Sequence, residues 1–170
     1  MIPKKIQMII NDQINAELWS AYLYLSMSMD AETKNWRGVA NWFYVQWLEE
    51  QDHARILQNY MVSQDAKVIL KPIEAVPVEW KNVRTMFEST LSHEKDVTAM
   101  IRNIACMAME ENDFATFSRM KWFVDEQIEE EQSVRDIISD IEKMGDCRYG
   151  YYSIDRTLGE RKYEKASPLK

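Results

Sequence analysis

Apolar residues recur at alternating steps of three and four along four long stretches of the chain, which is the spacing of helices packed in a bundle. The stretches predict helices over 3–30, 36–63, 80–110 and 113–144. Asn35 and Asn112 are predicted N-caps of the second and fourth helices, and Gly145 is a typical residue just past a helix end. Because the first connection is short, the first two helices should be antiparallel neighbours.

The segment 64–79 is different, because its apolar period disappears and Pro72 and Pro77 exclude a continuous helix. About 16 extended residues reach roughly 50 Å, and a helix of about 28 residues is roughly 42 Å long. The segment is therefore predicted to cross the length of the bundle and to make the third helix parallel to the second. A short helix near 149–159 follows the fourth.

The predicted fold class is thus all-α: a four-helix bundle, up-down-down-up, with a long crossover between helices two and three and a short fifth C-terminal helix. The chain of 170 residues suits a single domain. Within it, 1–145 should form the bundle, and 146–170 should form the short helix and a tail docked on the bundle or on another subunit.

Polar residues interrupt all four inward stripes near the middle of their helices. The 33 positions that separate Glu17 from Glu50 recur between Glu94 and Gln127, so the two halves of the chain overlay at an offset of 77. Each half contributes one carboxylate, followed on the next helix by a pair spaced by three. Six polar side chains are therefore predicted to meet at one level of the core: Glu17, Glu50, His53, Glu94, Gln127 and Glu130.

Four buried carboxylates would repel one another and have raised pKa values unless something compensates them. A pair of divalent cations would do so, and a set dominated by oxygen donors with one imidazole suits iron or manganese better than zinc or copper. The alternative without a metal site is a group of unrelated surface glutamates, which requires several independent coincidences of spacing.

Composition excludes some functions. The net charge of −7 argues against nucleic acid as a partner, and no stretch approaches the length and apolarity of a membrane span. Met1 to Lys5 carries positive charge, but no apolar run of signal-peptide length follows it. Cys106 and Cys147 show no metal or redox spacing, so both are predicted to be reduced thiols in a cytoplasmic protein.

Four stretches carry a resemblance to a known family. They are QINAEL at 13–18, LEEQDHA at 48–54, the pair His93-Glu94, and DEQIEEE at 125–131. They resemble the corresponding stretches of bacterial non-haem ferritins, and the similarity covers essentially the whole chain. The resemblance implies a subunit of a hollow cage of 24 copies, in which iron(II) is oxidised by O₂ or peroxide at a di-iron ferroxidase centre and stored as a ferric mineral.

The resemblance also implies roles for the polar residues. One iron would be bound by Glu17, Glu50, His53 and Glu94, and the second by Glu50, Glu94, Gln127 and Glu130, with Glu50 bridging. Tyr24, two turns from Glu17, would hydrogen-bond near the site and supply an electron, although a buried core aromatic explains it equally well. Trp122 is better explained as a core aromatic, and the 11 methionines as packing material.

A third group of carboxylates is predicted beside these. Glu49, Glu126 and Glu129 each precede a candidate ligand by one residue, which on a helix is a rotation of about 100° toward one side of the helix pair. The alternative explanation is that these carboxylates only form a solvated acidic face. The resemblance implies instead a third iron site of lower affinity. By the same rotation, His93 should point away from the centre and be a non-ligand.

Related functions predict different residues. A haem-binding bacterioferritin would place a methionine beside the ligands of helix two, where this chain has Gln51 and Asp52, so no haem is expected. A rubrerythrin-like peroxidase would carry a Cys-x-x-Cys module, and a purely structural cage subunit or binding bundle would have a degraded ligand set. Surplus aromatic residues predict subunit interfaces; they are Trp36, Trp42, Tyr44, Tyr149, Tyr151 and Tyr152.

Overall fold

The computed structural model describes residues 2–145 and 147–169, and the regular elements within these ranges are all helices. The elements are α1 (Lys4–Thr33), α2 (Arg37–Ser63), α3 (Val83–Glu110), α4 (Phe114–Met144), α5 (Arg148–Leu158) and a 3₁₀ turn (Ser167–Leu169). The first four form a four-helix bundle that contains both antiparallel and parallel helix pairs. α5 packs across the end of the bundle where α2 begins. This confirms the predicted fold class of a four-helix bundle with a short fifth helix. No helix of the described residues is long and apolar enough to cross a membrane.

The predicted N-caps Asn35 and Asn112 are wrong, because both residues close the preceding helix instead. Asn35 has a positive φ of 62° and Asn112 one of 55°. The amide of Asn35 bonds to the carbonyl of Glu32 at 3.0 Å, and that of Trp36 to the carbonyl of Ala31 at 3.0 Å. This is the Schellman ending, in which asparagine can replace the usual glycine.

The starts of the helices are capped in three different ways. Asp113 caps α4 by accepting a hydrogen bond from the Thr116 amide at 3.0 Å. Asn82 and Thr85 form a reciprocal capping box at the start of α3. Trp36 precedes α2 and supplies no side-chain cap. Instead, the Val39 amide in the first turn donates to Asp155 of α5 at 2.9 Å.

The crossover between α2 and α3, residues 64–82, is held along α1 by side-chain hydrogen bonds. The Asn11 carboxamide oxygen accepts from the Ile69 amide at 2.7 Å, near the start of α1. Asp30, near its end, accepts from the Trp80 amide at 3.1 Å. The crossover therefore travels the length of the bundle, as predicted, and α3 begins at the same end as α2.

Two apolar clusters fill the bundle on either side of a polar layer. One contains Phe43 and Phe87, stacked with ring centroids 5.1 Å apart. The other is mostly aliphatic and contains Ile10, Leu57 and Ile101 together with Phe123. The polar layer therefore lies midway along the helices, with hydrocarbon above and below it to keep water out.

α5 and the residues after it dock on α2. Ile154 and Leu158 are the buried apolar side chains of α5. Residues 160–169, here called the C-terminal tail, run back along α2. Of the aromatic residues predicted at interfaces, Trp42 is a wrong assignment, because it is buried within this chain. Trp36 packs against Tyr151 with centroids 5.9 Å apart. The others, Tyr44, Tyr149 and Tyr152, are exposed.

Candidate metal centre

All six polar residues singled out by the spacing are buried in the polar layer, one or two from each of the four long helices. Their exposed fractions are between 1% and 6%. They are Glu17 on α1, Glu50 and His53 on α2, Glu94 on α3, and Gln127 and Glu130 on α4.

One part of the layer is a compact group of three possible metal ligands. Glu17, Glu50 and His53 each offer an atom, and these atoms lie within 4.8 Å of one another. His53 Nδ1 is 3.3 Å from Glu50 Oε2. Gln13, one turn before Glu17, donates to Glu17 Oε1 at 2.9 Å. The other oxygen of Glu17 is buried without a hydrogen-bond partner among the described residues, which leaves a lone pair available to a cation.

The second part is organised around Glu94. Its Oε1 accepts a hydrogen bond from the Tyr24 hydroxyl, and its Oε2 accepts one from Gln127 Nε2 at 3.1 Å. Glu130 lies on the same side, where Gln46 Nε2 donates to its Oε2 at 2.9 Å. Glu94 is thus grouped with Gln127 and Glu130 and lies outside the Glu17 group.

Burial raises the pKa values of Glu17, Glu50 and Glu94, because a low-dielectric core disfavours the charged form. The pKa values of Glu17 and Glu50 lie well above their usual range, first through burial and then through neighbouring carboxylates. Burial, followed by the charge of Glu130, raises the pKa of Glu94 to about 8. Burial and the neighbouring Glu94 also raise the pKa of Tyr24. The centre favours bound protons or bound cations over bare negative charges.

A further acidic group lies on the other side of the His53 ring. His53 Nε2 is 3.9 Å from Glu126 Oε1, and ligand atoms of His53, Glu126 and Glu130 lie within 4.8 Å of one another. Glu49 is close enough for the charges of Glu126 and Glu130 to raise its pKa, which burial chiefly raises to about 7. We call Glu49, Glu126 and Glu130 the outer carboxylate group.

The remaining predicted residues lie around the centre. Glu129 is exposed to solvent, whereas Glu126 is half-buried. Trp122 meets the His53 ring edge-on, with centroids 5.6 Å apart. His93 points away from the carboxylates, as the helical rotation predicted, and its Nε2 is 2.7 Å from Ser20 Oγ. Burial lowers the pKa of His93 to about 4, so this imidazole is neutral at neutral pH.

Sequence reasoning missed the residues that orient the carboxylates. Gln13 and Gln46 were treated only as positions on an inward stripe, although each lies four residues before a candidate ligand. A buried amide one turn from a buried carboxylate was the available signal, because both must find partners in the same core. The structure also reveals Thr98, whose hydroxyl accepts from Gln127 Nε2 at 3.2 Å.

Oxygen donors dominate the centre, with a single imidazole between its inner and outer parts. Such a set is preferred by iron(II), iron(III) and manganese, whereas zinc and copper sites usually include more nitrogen or sulfur. In bundles, paired Glu and Glu-x-x-His residues on facing helices are the arrangement that holds two metal ions.

Comparisons with known proteins agree with this fold and donor set. Residues 7–144 match the family model described as ferritin-like domain. The chain is 37% identical over 161 residues to a bacterial non-heme ferritin of Bacteroides fragilis, covering 95% of this chain and 100% of the relative. It is 30% identical over 165 residues to one from Staphylococcus aureus, covering 97% and 99%.

Solved structures show the same likeness. An open pore ferritin from the archaeon Archaeoglobus fulgidus superposes with a TM-score of 0.94 at 38% identity, covering 95% of this chain and 100% of that one. A structure described as a humanized archaeal ferritin gives a TM-score of 0.95 at 36% identity, covering 96% and 99%. The chain therefore belongs to the ferritin family of iron-storage proteins.

Proposed function

We propose that this ferritin subunit oxidises iron(II) at a di-iron centre in its own bundle and stores the product as ferric mineral inside a cage of 24 copies. The observation that carries the proposal is the buried layer of four glutamates, one histidine and one glutamine, contributed by all four helices. Such a layer is costly in a protein core unless cations or protons compensate it.

The contacts support a division of labour between two iron positions. Glu17, Glu50 and His53 would bind the first iron, since their ligand atoms already converge. Glu94, Gln127 and Glu130 would surround the second, with Glu50 between the two. Glu94 was predicted to bind both irons. Because its two oxygens face Tyr24 and Gln127, we assign it here to the second iron only.

Carboxylates favour oxidation because they stabilise iron(III) more than iron(II). Two iron(II) ions lose one electron each, and O₂ with two protons accepts both electrons as hydrogen peroxide. Peroxide can oxidise a further pair, taking two electrons and two protons to give two waters. The raised pKa values of Glu17, Glu50 and Glu94 mean that these carboxyl groups would lose protons as iron enters, so iron would replace protons in the core.

Assembly into a closed shell is supported by apolar surface that the single chain leaves uncovered. A groove of about 720 Å³ lies between α1 and the crossover. Met29, Ile73 and Val78 line it and are 51%, 44% and 77% exposed. Large exposed apolar patches on a folded domain usually mark an interface, and we propose a second copy of this chain as the occupant.

Stopped-flow absorbance after mixing the metal-free protein with iron(II) and air tests the chemistry. Glu50→Ala and His53→Ala should each lower the rate of the fast phase by at least about a hundredfold, because both remove a ligand. Glu88→Ala, which removes an exposed glutamate from α3, is the matched control and should keep the wild-type rate. A fast phase that persists in both ligand variants would refute the assignment of the centre.

A further inference from the structure

The C-terminal tail is tied to the face of α2 that bears the outer carboxylate group. Asn41 Nδ2 donates to the backbone carbonyl of Arg161 at 3.0 Å. Further along, Asp52 Oδ2 accepts from the Tyr163 hydroxyl at 2.8 Å and from the Ala166 amide at 3.0 Å. Anchors on both sides therefore hold the tail beside Glu49.

Arg161 is the residue that the anchored tail presents to this group. Its Nη2 is 2.6 Å from Glu49 Oε2, and its guanidinium carbon lies 4.6 Å from the centre of the Trp42 ring. The side chains of Arg161 and Glu49 are only 24% and 21% exposed. A planar guanidinium stacked on indole and bonded to a carboxylate is held more firmly than a surface lysine would be.

Glu49 cannot serve Arg161 and a metal ion equally well. The Glu49 oxygen that accepts the guanidinium hydrogen bond is occupied while Arg161 is in place, and the guanidinium charge repels a cation nearby. The charges of Glu126 and Glu130 also act on Glu49, so a cation drawn to these carboxylates meets the guanidinium of Arg161 at Glu49.

We propose that Arg161 is a built-in competitor for the outer carboxylate group, and that a metal ion binds there only when Arg161 leaves Glu49 and loosens the tail. This regulation rests on the proposed function of the neighbouring di-iron centre. It makes outer-site loading weaker than loading of the inner pair, and it converts that loading into movement of the C-terminal tail.

The affinity of the outer group for a metal ion falls in proportion to the fraction of time that Arg161 is bonded to Glu49. For a half-buried ion pair with stacking, removing the competitor should tighten binding of the outer metal about three- to tenfold. The inner pair should be unaffected, since Arg161 bonds to none of its ligands in the described contacts.

Zinc(II) binding measured by isothermal titration calorimetry tests the competition without redox chemistry, because carboxylate and imidazole also bind this ion. Arg161→Gln should strengthen the third, weakest binding step about three- to tenfold and leave the first two steps unchanged. Lys162→Gln removes the same charge from the neighbouring, exposed position and should match the wild type. An unchanged third step in Arg161→Gln, or an equal change in Lys162→Gln, would overturn the proposal.

Hydrogen exchange provides the second measurement. During the zinc titration of the wild-type protein, the Ala166 amide should lose protection with the third equivalent and not with the first two. Protection that stays constant through all three equivalents would also overturn the proposal. Failure of the proposed ferroxidase function is separately visible as the absence of fast iron(II) oxidation, whereas the zinc measurements depend only on binding at the outer group.

Discussion

Gly38 is the contact point between α2 and α5, and replacing it with alanine should detach the fifth helix. A Cβ at this position would lie 1.5 Å from the carbonyl oxygen of Asp155 and 3.0 Å from the amide nitrogen of Gly159. Ordinary carbon–oxygen contacts are about 3.3 Å or longer, so α5 would have to move by roughly 2 Å. Both obstacles are backbone atoms, which no change of rotamer can displace.

The movement should break the interactions that hold α5. Asp155 Oδ1 accepts from the Val39 amide at 2.9 Å and so caps α2, which has no local side-chain cap. Losing such a cap costs about 1 kcal/mol. Ile154 and Leu158 are buried, and partial exposure of their side chains adds about 1–3 kcal/mol. The docking of α5 should therefore weaken by about 2–4 kcal/mol.

The opposing term is small, so the sign of the result is informative. Alanine in a helix is favoured over glycine by at most about 1 kcal/mol. If no close approach existed, Gly38→Ala would stabilise the protein. With the approach present, the clash and the lost contacts exceed that gain.

Native-state hydrogen exchange measures this docking locally. The Gly159 amide bonds to the Asp155 carbonyl at 3.0 Å, and its protection should fall by between about thirtyfold and a thousandfold in Gly38→Ala. Arg37→Ala is the control, because it changes the neighbouring residue of α2, whose side chain is exposed, and should keep the wild-type protection. Protection in Gly38→Ala that equals or exceeds the wild-type value would refute the argument.

Three further results are expected. Tyr24→Phe should weaken iron(II) binding about tenfold while the bundle stays folded, because only the hydrogen bond to Glu94 is lost; equilibrium titration checks this, with the exposed Tyr22→Phe as control. The metal-free protein should resist guanidinium better at pH 5.5 than at pH 8: the pKa of Glu94 is raised from 4.5 to about 8 on folding, so its contribution is full below pH 4.5 and is lost as pH rises through 8. Zinc should reverse that order, and Glu94→Gln should reduce the difference between the two pH values. Ile73→Glu should yield smaller assemblies in sedimentation velocity at micromolar concentration, whereas Glu74→Gln, at the next position, should not.

Periodicity was sufficient to predict the helices and the polar layer, because both follow from residues repeating on one helix face. Glu17 and Glu94 are the formal charges on otherwise uncharged inward stripes, and burial at such a position follows from the stripe itself. The caps were harder. Asn35 favours both an N-cap and a left-handed helix end, and with a connection so short the sequence does not distinguish them.

The tail contacts could not be predicted, because nothing local encodes them. Arg161 and Glu49 are separated by 112 positions, and the tail has no period that would orient it against α2. Trp42 illustrates the same limit. An aromatic residue near a helix start is expected to be buried against a surface, but the sequence does not say whether that surface belongs to the same chain. In the structure that surface is an internal one, because the Trp42 ring meets Phe87 edge-on with centroids 5.1 Å apart and the Arg161 guanidinium lies over it.

The inner and outer parts of the centre are compensated by different means, and the difference follows from their burial. Around Glu17, Glu94 and Glu130, the observed donors are the neutral amides and hydroxyl of Gln13, Tyr24, Gln46 and Gln127. Neutral donors orient a carboxylate without cancelling its charge, so the inner site still requires protons or metal ions. A buried arginine there would cancel the charge permanently and block iron. At the half-buried Glu49 an arginine is tolerated because it can leave toward solvent, which makes the outer group the place where a side chain and a metal ion can exchange.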